Sequence, residues 1–159
     1  VKRLNAIRTA LTELPMATAP NFQLNGLKRE ELIATNSMLL HELYFGNMTK
    51  EKSSFNPESI FGKKVLERFG SFETFAHNFT KNVGMFRGIG WVALVERDDS
   101  LGVIWIGEHD EGLLANSKIL LIMDVFEHAF MVDYGLKRAD YITAFWNAID
   151  WSVVESRLA

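Results

Sequence analysis

Four histidines and a handful of acidic side chains carry the chemistry open to this sequence. It has no cysteine among its 159 residues, which excludes disulfide frameworks, thiolate metal sites and cysteine nucleophiles. A bound metal would have to be held by His, Asp or Glu. The histidines are His41, His77, His109 and His128, and the last follows Asp124 by four residues and Glu127 directly. Asp124 closes the run Lys118 to Val125, which is dense in Ile, Leu and Val and short enough for a buried strand. A carboxylate at the end of such a strand needs an ionic, hydrogen-bonding or metal partner. Carboxylate oxygen together with imidazole nitrogen suits iron, manganese or zinc. On spacing alone, a salt-bridged Asp beside a surface His is the simpler reading of Asp-x-x-x-His. His77 reads as a helix-surface residue.

The elements that must position these groups fall into two parts. Leu4, Ile7, Leu11 and Leu14 recur at spacings of three and four, one face of a helix that ends near Pro15. This pattern starts directly at Val1 with no capping residue before it, so further sequence upstream is expected. A loop through Pro20 to Gly26 leads to a second helix over residues 29–48, making an antiparallel hairpin. The polar, turn-rich stretch from Thr49 to Pro57 marks the boundary, giving a helical hairpin over 1–52 and a second domain over 53–159. Two helices are expected over 58–69 and 71–83, broken at Gly70, with Ser71 as the cap of the second. Residues 90–96 and 101–106 read as strands joined by the Arg97-Asp98-Asp99-Ser100 turn, with 118–125 as the third. From Tyr141 the pattern is helical again. Three strands between helices, with one hairpin, predict an α+β fold with a mainly antiparallel sheet.

Charge and composition narrow the classes further. Seventeen Lys and Arg against twenty Asp and Glu leave a net charge of −3, which argues against broad adhesion to nucleic acid or an acidic membrane. No apolar run is long enough to span a bilayer. Neither a repeat nor a low-complexity segment is present.

The residues around Asp124 raise the specificity of the signal. The stretch Asp124-Val125-Phe126-Glu127-His128-Ala129-Phe130-Met131, then Arg138-Ala139-Asp140-Tyr141, then Trp146-Asn147-Ala148-Ile149-Asp150-Trp151 closely resembles the signature region of iron/manganese superoxide dismutases. Gly90-Trp91 and Phe69-Gly70-Ser71-Phe72 resemble two further motifs of that family, and His41-Glu42-Leu43-Tyr44-Phe45-Gly46-Asn47-Met48 resembles its second-ligand helix. Val1 to Leu14 is similar to the segment after the first-ligand helix, so the likeness covers nearly the whole chain.

The resemblance implies one Fe or Mn ion per subunit, held by His41, Asp124 and His128, with a fourth ligand, a His, upstream of Val1. The family's gate tyrosine and its partner histidine are implied upstream as well. It further implies that His109 reaches toward the solvent on the metal, that Trp91 walls the pocket, and that Arg138 steers an anion at the funnel mouth. The bottom-up alternatives are an ordinary loop histidine for His109 and core packing for the tryptophans. Glu127 is implied to bond the ligand His of the other subunit, in a homodimer or a dimer of dimers. The implied activity is disproportionation of superoxide to dioxygen and hydrogen peroxide by alternating redox, in the cytoplasm or mitochondrion. Phe45 and Phe126 stand where the family has Trp, Phe130 and Met131 where it has two tyrosines, and Asp150 where it has Asn. The lost tyrosines keep a second class open, a catalytically altered dismutase-fold protein acting as an assembly subunit.

Overall fold

The centre of the structure is a strand that is apolar on both faces. Trp91, Val92, Ala93 and Leu94 are all fully buried, which is why the sequence reads there as a continuous apolar run rather than an alternating one. This strand, β1 (Trp91–Arg97), pairs antiparallel with β2 (Ser100–Ile106) on one side and with β3 (Lys118–Asp124) on the other. The β1–β2 hairpin turns on Asp98 and Asp99, both at positive φ (51° and 63°), a conformation that Asp tolerates better than most residues. The computed structural model describes residues 1–85 and 88–158.

Seven helices complete this part of the chain: α1 (Lys2–Glu13), α2 (Asn21–Gly46), α3 (Ile60–Phe69), α4 (Phe72–Met85), α5 (Glu127–Tyr134), α6 (Arg138–Ala148) and α7 (Trp151–Ser156). No helix is long and apolar enough among the described residues to cross a membrane. The expected hairpin forms from α1 and α2, joined across their faces by Arg3–Glu30 and by Arg8–Glu31 at 3.5 Å. Ser59 caps α3 by accepting from Gly62 N at 2.9 Å, and Gly70 ends it at φ 83°. Ser71 Oγ then accepts from Thr74 N at 3.0 Å, as its position predicts. At Gly62 a β-carbon would lie 2.1 Å from the Asn56 carbonyl oxygen, so the close approach of that loop requires glycine.

The structure departs from expectation at element ends. Residues 21–26, expected as loop, are helical, because the Pro20 carbonyl accepts from Gln23 N at 3.0 Å and starts α2 early. Gly26 sits in open space, where glycine costs a helix about 1 kcal/mol without breaking it. The C-terminal helical pattern begins at Arg138 rather than Tyr141 and is cut at Ile149, whose extended backbone bridges to Met48. Asp150 restarts it as the cap of α7, accepting from Ser152 N at 3.1 Å, a task that Asn would perform equally.

The end of α2 is fastened to β3 by side chains. Asn47 is fully buried; its Oδ1 accepts from Ile122 N at 2.9 Å and its Nδ2 donates to the Tyr44 carbonyl at 2.8 Å. Arg157 donates to the Leu120 carbonyl at 2.9 Å and to the Leu43 carbonyl at 2.7 Å. Together they satisfy backbone groups on the edge of β3 and at the end of α2, groups that burial would otherwise penalise. Asn47→Ala leaves the Ile122 N–H without its acceptor, and should lower unfolding free energy by about 1–3 kcal/mol in urea titrations; an unchanged midpoint would contradict this role.

Candidate metal centre

Three elements bring three donor groups to one point. His41 lies near the end of α2, Asp124 is the last residue of β3, and His128 is the second residue of α5. One ligand atom from each lies within 4.8 Å of the others. Asp124 Oδ2 is 3.6 Å from His41 Nε2 and 3.2 Å from His128 Nε2. The two imidazole rings are stacked at 5.7 Å. His41 Nδ1 lies 2.6 Å from the Ser37 carbonyl oxygen. A carbonyl only accepts, so Nδ1 carries the proton and Nε2 presents its lone pair toward Asp124.

Asp124 is 1% exposed. Burial raises its pKa above the ordinary carboxylate value, opposed by the Phe126 N–H that donates to Oδ1 at 2.9 Å and by the two histidines. Among the described residues no Lys or Arg pairs with it. A buried carboxylate faced only by two imidazoles, one with its lone pair free, is a donor set that a divalent or trivalent cation completes. The residues therefore fit iron or manganese.

The walls are aromatic. Phe126 stacks on His109 at 5.1 Å with 6° between the planes, and on His128 at 5.5 Å. Trp91 stands edge-on to His41 at 4.9 Å, and its Nε1 is buried with no hydrogen-bond partner among the described residues. Phe126 thus fills by stacking the space between the two histidines.

His109 comes from the loop after β2, which α2 holds in place. Asn36 Nδ2 donates to the His109 carbonyl at 2.5 Å and Arg29 Nε donates to Asp110 Oδ2 at 2.7 Å. The ring lies 6.2 Å from that of His41, and both line a cavity of about 490 Å3. His109 Nε2 is buried without a partner among the described residues, and burial lowers its pKa, helped by the nearby His41. Gly90 permits the tight passage into Trp91, since a β-carbon there would sit 2.4 Å from the Ile106 carbonyl oxygen.

The remaining positions lie further out. Arg138 is 5.1 Å over the Phe130 ring and donates to the Gly88 carbonyl at 3.3 Å. Glu127 is exposed at the start of α5, and His77 is exposed on α4. Sequence reasoning left Ser37, Asn36, Tyr44 and Tyr141 without roles. Both tyrosines stood in quoted motifs, but no local pattern shows that their hydroxyls meet.

The iron/manganese superoxide dismutase C-terminal domain model matches residues 57–157. The chain belongs to this family. It is 45% identical to the iron superoxide dismutase of Cupriavidus metallidurans, across 100% of the chain and 80% of that relative. It is 34% identical to the iron enzyme of Methanothermobacter thermautotrophicus, across 75% of the chain and 60% of the relative. A manganese superoxide dismutase of Haloferax volcanii is 33% identical across 75% of the chain and 59% of its own length. The chain therefore spans about three-fifths of the latter two.

Placing a full charge at position 124 is costly to a chain without metal. Asp124→Asn keeps an acceptor for the Phe126 N–H, so the chelator-stripped variant should be as stable as the parent, or up to about 2 kcal/mol more stable. Denaturant unfolding of both proteins without metal checks this; a clear loss of stability would mean that the carboxylate serves the fold.

Proposed function

We propose that this protein is a superoxide dismutase of the iron/manganese type, with His41, Asp124 and His128 as ligands of one Fe or Mn ion per subunit. The convergence of His41 Nε2, His128 Nε2 and a buried Asp124 carboxylate carries the reading. Family membership supports it. When bound, iron or manganese supplies the one-electron redox chemistry that converts superoxide to dioxygen and hydrogen peroxide. The same donor types serve both metals, and relatives of both kinds occur. The fourth ligand is read, from the resemblance, as a His upstream of Val1.

The chain's own groups divide the remaining work. Asp124 sets the charge of the site, and Ser37 fixes the tautomer of His41. Burial favours the neutral form of His109, so its Nε2, which has no partner among the described residues, can hold or pass a proton beside the pocket. Trp91 and Phe126 exclude bulk water from two sides. Arg138 places a positive charge that attracts the anionic substrate.

The chain is read as dividing near residue 52, His41 coming from the helical hairpin and Asp124 and His128 from the α+β part. Val132 and Leu136, 90% and 91% exposed, lie near Glu127 and His128 in sequence and suit a face shared between two copies, as a homodimer or dimer of dimers. Neither nucleic acid nor membrane enters this reading. The relatives named above are bacterial and archaeal, which favours the cytoplasm and gives no support to a mitochondrial site. An assembly role gains nothing from those relatives, which carry the dismutase name.

Metal analysis of the full-length protein with a superoxide dismutation assay tests the proposal. One Fe or Mn per subunit with activity is expected, and Asp124→Ala should abolish both. Metal content unchanged in that variant would overturn the ligand assignment. His109→Ala should keep the metal while lowering the rate about 100-fold, measured by pulse-generated superoxide decay.

A further inference from the structure

All three tyrosines of the chain, Tyr44, Tyr134 and Tyr141, line one cavity of about 180 Å3. Tyr141 Oη donates to the Asp124 carbonyl at 2.7 Å, and Tyr44 Oη lies 3.0 Å from Tyr141 Oη. A tyrosine hydroxyl has one proton, and that of Tyr141 is committed to Asp124. Tyr44 is therefore the donor of the second bond, and the two form a directed chain that ends on Asp124. Both rings are buried, at 7% and 5% exposure.

Asp124 is held at two places by this arrangement. The Phe126 N–H holds its carboxylate through Oδ1, and Tyr141 holds its main-chain carbonyl at the point where β3 ends. The Val125 N–H donates to the Gly90 carbonyl at 2.8 Å, so the next peptide is fixed as well. Oδ2 is left as the free oxygen, facing both histidines. Tyr141 sits on α6, which packs against α5, the helix that carries His128. One hydroxyl thus ties the frame of one donor to the frame of another.

We propose that Tyr141 is a positioning residue for Asp124, supported by Tyr44, and that its hydroxyl fixes the direction in which Oδ2 points. The proposal rests on the reading of Asp124 as a metal ligand, since its purpose is to pre-set a ligand oxygen. The Tyr141 ring packs on Phe130 at 5.6 Å and on Tyr134 at 5.7 Å, contacts that Phe at this position preserves. Tyr141→Phe therefore removes the hydrogen bond and keeps the packing.

The test uses the full-length protein, iron-loaded and iron-free, as parent, Tyr141→Phe and Tyr44→Phe. Iron loss to EDTA should be about 10-fold faster in Tyr141→Phe, and the ferric paramagnetic resonance spectrum should change. Tyr44→Phe should shift both in the same direction by less. In the iron-free protein, the Asp124 carboxyl 13C resonance should move in Tyr141→Phe. A lower melting temperature with unaltered iron loss, spectrum and resonance overturns the proposal, because a purely structural hydroxyl would do only that. If Tyr141→Phe does not fold, Tyr44→Phe decides, and parental values in it overturn the proposal. A parent that takes up no iron refutes the functional reading instead, and the 13C measurement then still decides the positioning.

Discussion

A carboxylate with almost no contact with water, at the end of a strand buried on both sides, is the constraint around which this structure is arranged. Burying Asp124 is unfavourable in itself, so each neighbouring element contributes something that offsets it. The turn into α5 offers a backbone N–H, α2 and α5 each offer an imidazole, and α6 offers a hydroxyl to the same residue's carbonyl. Positions far apart in sequence meet because β1 is central: Trp91 opposes Asp124 on one side and Ile106 on the other. The sheet register thereby sets the pocket wall, the carboxylate and the start of the His109 loop together.

Local patterns revealed most of the framework. The continuous apolar run of β1, the Asp-Asp turn, the Gly70 stop and the Ser71 cap are local signals with one physical cause each. The start of α2 was hidden because Gly26 and Asn25 lower helix propensity, whereas the turn opened by Pro20 and packing against α1 override it. The break at Ile149 was equally hidden, since it depends on a bridge to Met48, a hundred residues away. His41, Asp124 and His128 were legible through their neighbours rather than their spacing. Ser37 was not, because it acts through its main-chain carbonyl, which carries no residue-type signal; Asn36 and Tyr44 were not, because their partners lie on distant segments.

The aromatic positions of the pocket act through their rings. Phe126 keeps a flat face between His109 and His128, and stacking of this kind depends on the ring rather than on an indole N–H. Phe130 packs under Arg138 and against Tyr141, again using only its ring. Side-chain hydroxyl bonding next to Asp124 falls to the two linked tyrosines.

The fastening of β3 by Asn47 and Arg157 also decides what a local opening would expose. One edge of the sheet is completed by side chains that follow the ends of α2 and α7. With either one out of place, the strand presents an amide or a carbonyl that is open to pairing with any other strand. Opening of this seam is therefore a local event that leaves the sheet exposed to edge-to-edge aggregation.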